Sequence, residues 1–178
     1  MATNTHVESS TDLPLPEQDF VDRAYERLDA LRASYRERQG RVHSTHGVGN
    51  AQGWTEREAL SAHLGEMAAR LEGVEERLVF GRLDMVDRSV RHVGRLSLSH
   101  EDGTPLLVDW RAPAARPFYQ ATSAEPDGVV RRRHISTRDR RVTGLEDELL
   151  DASHASGLEL QGEGALMHAL SEARDGRM

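Results

Sequence analysis

The chain has 178 residues, of which 37% are hydrophobic and 30% are charged, with a net charge of -7. This lean composition suits an extended part beside a compact one, and the absence of cysteine excludes disulfides and thiolate metal sites. No apolar run approaches the roughly 20 residues needed to cross a bilayer, and the N-terminus lacks the features of a secretory signal, so we expect a cytoplasmic protein without a membrane partner.

Charge is segregated along the chain, and all 23 basic residues are arginine. Residues 1–76 carry 8 arginines against 14 acidic residues, residues 77–141 carry 13 against 8, and residues 142–178 carry 2 against 8. A basic middle between acidic flanks could meet an acidic partner. Alternatively, the segments could neutralise one another when the chain folds.

The N-terminal half predicts a polar tail and then two helices. Residues 1–16 form the tail, which we expect to be disordered. Over residues 17–78 we predict an antiparallel coiled-coil hairpin, because apolar residues recur in a heptad rhythm in both of its arms. The first stripe comprises Val21, Ala24, Leu28, Leu31, Tyr35 and Val42, and the second comprises Leu60, Leu64, Met67, Leu71, Val74 and Leu78. Neither helix is stable alone in water, so we expect them to contact mainly each other.

Residues 79–143 predict a small β-rich domain. A strand-like run at residues 90–98, a turn at residues 100–104 and a second strand at residues 105–110 follow one another, and residues 129–135 form a further strand. Phe118 and Tyr119 are expected to anchor the core of a chain with only 4% aromatic residues.

Residues 144–178 turn acidic and predict helices. We expect a short helix at residues 145–151 and the start of another at residues 162–171. The predicted fold class is therefore α+β: an N-terminal antiparallel helical coiled-coil hairpin, then a small β-rich domain, then C-terminal helices.

Motifs for catalysis and nucleotide binding are absent from the sequence. The chain has no lysine, which rules out a standard P-loop, and it contains no GxGxxG, HExxH or GxSxG pattern. We therefore predict no catalytic residue and no cofactor in this chain alone.

The strongest candidate for a partner-binding surface is a group of arginines near the end of the β-rich region: Arg131, Arg132, Arg133, Arg138, Arg140 and Arg141. Such a patch could bind nucleic acid phosphates or an acidic protein surface. It could instead be an arginine-rich strand face that pairs with the acidic residues 145–151. Aromatic residues are not interleaved with these arginines, which weakens the case for single-stranded nucleic acid.

Two histidines in the predicted hairpin tip, His43 and His46, are further candidates for partner contact. Their HxxH spacing could hold a metal if the loop curled. The loop has no cysteine or carboxylate to complete such a site, so exposed loop histidines are the simpler interpretation.

Three segments carry distinctive motifs: FGRLD at residues 80–84, LVDWRAP and PFY within residues 107–119, and GVVRRR at residues 128–133. In order and spacing they resemble the N-terminal region of HelD-type proteins, which are UvrD-like, helicase-related ATPases that bind and recycle bacterial RNA polymerase. The resemblance spans about residues 17–175. We interpret its motif residues as structural, with Asp84 and Asp109 pairing with arginines such as Arg82 and Arg111.

The resemblance implies a function in transcription. The hairpin would insert toward the secondary channel of the RNA polymerase core, the β domain would pack on the first motor lobe, and the motor, with its ATP and Mg²⁺, would lie beyond the last residue of this sequence. The alternatives are a nucleic-acid-binding accessory domain of a UvrD-like DNA helicase, with DNA contact, or a stand-alone truncated transcription regulator.

Overall fold

The computed structural model describes residues 15–44 and 51–162. Two helices, α1 (Gln18–Ser44) and α2 (Ala51–Glu72), precede a six-stranded mixed sheet. A 3₁₀ turn at Pro113–Ala115 leads into a short helix, α3 (Arg116–Gln120), and a second 3₁₀ turn lies at Ala152–His154. The strands are β1 (Val79–Met85), β2 (Val90–Gly94), β3 (Leu98–Ser99), β4 (Pro105–Asp109), β5 (Val129–Arg138) and β6 (Arg141–Leu149). The predicted α+β class is confirmed.

The sheet has the strand order β3-β4-β2-β1-β5-β6. All neighbouring strands are antiparallel except β2 and β4, which are parallel. The β5–β6 hairpin turns through two residues, Asp139 and Arg140, both of which have positive φ angles (49° and 65°). This is the backbone of a tight hairpin turn whose twist matches that of the flanking strands.

The hydrophobic core forms two clusters on opposite faces of the sheet. Successive residues of a strand point to opposite faces, and accordingly Leu107 belongs to the first cluster while Val108 packs against the second. The first cluster includes the start of α1, and the second includes Phe118 of α3. Helices α1 and α3 therefore cover opposite faces of one sheet.

The N-terminal half of α1 packs on the sheet, a contact that the expected pairing of the two helices did not include. Val21, Ala24 and Leu28 are fully buried in the cluster that contains Val79 and Ile135. The physical reason is that the sheet presents an apolar face that must be covered, and the first stripe of α1 is the apolar surface that covers it.

Farther along, α1 contacts α2. The buried Arg32 side chain donates to the Leu71 carbonyl oxygen from Nε (3.1 Å) and Nη2 (2.7 Å), and Leu64 is buried while Leu60 is 49% exposed. Residues 45–50, which lie within the predicted tip, are outside the described residues, and the coiled-coil hairpin stays a prediction. Within the part of the chain that the structure describes, no helix combines the length and apolar character needed to span a membrane.

The prediction of a short helix at residues 145–151 is wrong, because residues 145–149 belong to β6 and the other two follow it. Leu145 and Asp147 are buried while Glu146 and Glu148 are exposed, which is the two-residue period of a strand. Leucine and glutamate favour helices, but pairing with β5 overrides this weak preference. The helix expected at residues 162–171 and the tail at residues 1–16 lie almost entirely outside the described residues.

Candidate partner-binding site

Six charged side chains form a closed ring in which arginines and carboxylates alternate. The ring lies where Glu17, the residue before α1, meets β1, β5 and β6. The Glu17 carboxylate accepts from Arg82 (2.6 Å) and Arg133 (2.9 Å). Asp84 accepts from Arg82 (2.7 Å) and Arg131 (2.7 Å). Asp147 closes the ring with Arg133 (2.7 Å) and Arg131 (3.5 Å).

The ring is buried and electrically balanced. Arg131 and Arg133 are only 3% and 4% exposed, and three arginines face three carboxylates. Removing charges from water is costly unless they are paired and hydrogen-bonded. In the described residues, no buried side-chain nitrogen or oxygen lacks a hydrogen-bond partner. The ring therefore joins Glu17, which precedes α1, to β1, β5 and β6, and all of its buried polar atoms are hydrogen-bonded.

Glu17 also binds His92 of β2, whose Nε2 lies 2.8 Å from the Glu17 carboxylate. Burial opposes ionisation of this carboxyl group, but the hydrogen bond with His92 and the charge of Arg82 outweigh it and lower the Glu17 pKa to about 2. Burial lowers the pKa of His92 despite its bond to Glu17, and the His92 ring stacks on Phe20 with centroids 3.4 Å apart.

The segment after β6 is tied to the same ring. Asp147 accepts from the backbone N–H of Gln161 (2.6 Å), and the Asp147 N–H donates to the Gln161 carbonyl oxygen (2.9 Å). The Glu159 carbonyl oxygen accepts from Arg131 (2.7 Å). One cluster of charges thus fixes both the first and the last residues of the described fold.

The three motif segments meet in the folded chain on the opposite face of the sheet. Gly81 of FGRLD lies under the ring of Phe118 of PFY, with no room for a side chain between them. Arg132 of GVVRRR donates to the carbonyl oxygens of Phe118 (2.9 Å) and Ala121 (3.1 Å) at the end of α3. The motifs therefore hold α3 on the sheet, in agreement with a structural interpretation.

Replacing Gly81 by alanine should destabilise the fold by about 1–3 kcal/mol, because overpacking a filled core carries that cost. An added Cβ would lie 2.3 Å from Phe118 Cε2, and the Phe118 ring is held by Phe80 and His134. Urea denaturation measures the loss.

Gly144 provides the matched control for this change. Its added Cβ would lie 3.7 Å from Ser136, an ordinary contact, so alanine there should be neutral or stabilise by about 0.5–1 kcal/mol. Equal stability of the two alanine variants would contradict the close packing of Gly81 against Phe118.

The predicted pairings of Asp84 with Arg82 and of Asp109 with Arg111 are confirmed. Asp109 binds Arg111 through two hydrogen bonds, at 3.0 and 2.8 Å. The expectation that Tyr119 anchors the core is wrong, since it is 52% exposed and packs edge-on against Trp110, which is itself 47% exposed. A five-residue helix that buries Phe118 turns its neighbour toward solvent.

The arginine patch predicted from the sequence is divided by the fold. Arg131 and Arg133 lie inside the ring, so they offer no surface to a partner. Arg132 pairs with Glu148 (2.5 Å), and Arg140 pairs with Asp29 (2.7 Å) and Glu75 (2.6 Å). The alternative in which strand arginines pair with residues 145–151 is therefore confirmed for Arg131, Arg132 and Arg133.

The remaining candidates are exposed or outside the described side chains. Arg138 and Arg141 are exposed, and no ion pair to either is found within residues 15–44 and 51–162. His43 lies in the last turn of α1, and His46 is outside the described residues. Partner contact by these residues stays a prediction.

A groove that the sequence did not reveal lies beside the motif contacts, with a volume of about 1240 Å³. Its lining combines basic and aromatic side chains from separate elements, chiefly Arg77, Phe80, Arg95, Trp110, His134 and Arg138. These residues span more than sixty positions of the chain, and Arg138 alone among them belonged to the predicted patch. Local patterns give no signal for such an assembly.

The protein is thus an α+β domain in which the three motif segments hold α3 against the sheet. The family model described as the N-terminal domain of the DNA helicase IV HelD matches residues 15–161, and the chain belongs to this family. A search of curated proteins gives no match.

Proposed function

We propose that this chain is the segment through which a HelD-like, helicase-related ATPase docks on the RNA polymerase core, near the secondary channel, to release or recycle stalled polymerase. Membership of the HelD N-terminal domain family carries the proposal. ATP and Mg²⁺ would act in the motor of such a protein rather than in these residues. The proposal also requires a cytoplasmic location, because the polymerase works there.

The part of the molecule best suited to docking is the pair of helices beyond the sheet. We call α1 from Arg32 to its end, together with the facing part of α2, the helical arm. From Arg32 to Ser44 the helix axis extends by about 18 Å at 1.5 Å per residue. Except for Arg32 and Leu64, the described side chains of this arm are exposed or half-buried, so the sheet does not cover it.

Leu60 supports a contact role for the arm. Leu60 belongs to the second predicted apolar stripe but is 49% exposed and lies in neither core cluster. Its side chain is therefore available to contact a partner. Apolar residues surrounded by polar ones are typical of protein interfaces. The arm is also held firmly at its base, because Arg32 binds Glu75 (2.7 Å) and Arg36 binds Glu72.

Binding of the purified chain to immobilised RNA polymerase core tests the proposal. The wild-type chain should be retained at micromolar concentration, and Leu60→Asp should weaken binding by about tenfold or more, the effect of losing an interface anchor. Val86→Asp is the matched control, since Val86 is a similarly exposed aliphatic residue (40%) in the turn between β1 and β2.

Circular dichroism should show that both variants keep the fold, because neither side chain lies in the core. If the wild-type chain is not retained, polymerase docking by this segment is refuted. If Leu60→Asp and Val86→Asp bind equally well, the arm is not the docking element.

A further inference from the structure

The groove beside the motif contacts combines two features, uncompensated positive charge and aromatic rings. Residues 73–77, which follow α2, form one wall, and β5 contributes residues 134–138 to the other. Trp110, from the end of β4, also lines it. The volume of about 1240 Å³ exceeds the roughly 300–1,000 Å³ of a small-molecule pocket, so the groove has room for a larger ligand.

The first feature is uncompensated positive charge. Arg77, Arg95 and Arg138 are exposed, and none forms an ion pair with another described residue. Glu76 is the single acidic residue in the lining, and Arg111, which also lines the groove, is neutralised by Asp109. The three ring arginines and Arg140 of the β5–β6 turn, by contrast, have carboxylate partners. The excess charge of the groove would be neutralised by an anionic ligand.

The second feature is a set of aromatic rings held in place by neighbours. Trp110 is 47% exposed, and it is braced edge-on by Tyr119 with centroids 6.4 Å apart and by Arg111 at 5.9 Å from its ring. Phe80 is fixed edge-on by Phe118 at 5.8 Å. Rings that are already oriented lose little freedom when a flat ligand binds to them.

We propose that this groove binds single-stranded nucleic acid, with phosphates at Arg77, Arg95 and Arg138 and bases stacked on Trp110 and Phe80. A nucleic acid repeats a negative charge and a flat ring in every unit, which matches both features. An acidic peptide would use the arginines but leaves the exposed ring of Trp110 and the half-buried ring of Phe80 without a role. The site goes beyond polymerase docking, because it involves no residue of the helical arm.

Fluorescence anisotropy with a labelled oligothymidylate of about 10 nucleotides, within the usual site size of single-strand binders, tests this proposal in the intact chain. Arg95→Glu should weaken binding at least tenfold and reduce the salt slope of log K by about 0.7, the contribution of one phosphate contact on a single strand. Trp110→Ala should weaken binding by about five- to a hundredfold through lost stacking, with little effect on the salt slope.

Arg88→Glu is the matched control. Arg88 is exposed in the β1–β2 turn, outside the groove, and pairs with no carboxylate among the described residues. This variant makes the same charge change and should bind almost as the wild type does. If Arg88→Glu and Arg95→Glu weaken binding equally, only general charge acts and the site is refuted.

Polyglutamate competition separates nucleic acid from an acidic protein. We expect excess polyglutamate to leave the oligonucleotide bound. Displacement by polyglutamate, together with full binding by Trp110→Ala, would overturn the proposal in favour of an acidic peptide, and no oligonucleotide binding by the wild type would overturn it outright. Retention on RNA polymerase, measured with the same Trp110→Ala and Arg95→Glu variants, reports separately on arm docking.

Discussion

Replacing Asp147 by alanine is expected to lower the free energy of unfolding by about 3–5 kcal/mol, because it removes one carboxylate from a buried network and leaves three arginines facing only Glu17 and Asp84. The Asp147 carboxylate accepts from Arg133 Nε (2.7 Å) and Nη2 (2.8 Å), and it faces Arg131 at 3.5 Å. It also accepts from the Gln161 N–H, so the last described segment should loosen as well.

Glu148→Ala is the control for this change. Glu148 is the next residue of the same strand and also pairs with an arginine, Arg132, but its side chain is half exposed. Exposed pairs contribute about 0–1 kcal/mol, so this variant should stay within about 1 kcal/mol of the wild type. Urea denaturation followed by circular dichroism measures both. Similar losses for the two variants would show that burial does not strengthen the dependence on Asp147.

The second large effect is expected for Leu28→Asp, which should unfold helices and sheet together. Leu28 is fully buried in the cluster that joins α1 to Val79 and Ile135. Truncating a buried leucine already costs about 2–5 kcal/mol, and an unpaired buried carboxylate adds further cost. The sum consumes most of the roughly 5–15 kcal/mol of a typical domain.

Leu64→Asp should behave differently, because Leu64 lies on α2 in the helical arm, outside both core clusters. We expect local opening of the arm while the sheet stays protected, since proteins open in separate cooperative units. Hydrogen exchange read by mass spectrometry distinguishes the two variants: peptides from β5 should exchange fast in Leu28→Asp and slowly in Leu64→Asp. Fast exchange of β5 in both variants would show that arm and sheet form one cooperative unit.

Interactions between near neighbours were predictable from the sequence. The start of α1 at Gln18 follows directly from Pro16 and the apolar stripe, and β5 follows from the apolar and polar alternation after the Asp127–Gly128 turn. The pairs Arg82–Asp84 and Arg111–Asp109 are two residues apart, so their partners could be named without knowing the fold. The shared motifs were sufficient to identify the family.

Long-range pairing decided the rest. By itself the sequence determined the α+β class, the succession of helices and then a β-rich region, and the family, because local periodicity and short motifs act within a few residues. Only the tertiary structure decided that residues 145–149 form a strand, that α1 serves the sheet, and that Glu17 meets Arg133 across 116 positions of the chain. It also gathered Arg77, Trp110 and Arg138 into one groove. The physical reason is that burial and charge compensation depend on which surfaces meet, and partners far apart in sequence leave no local pattern.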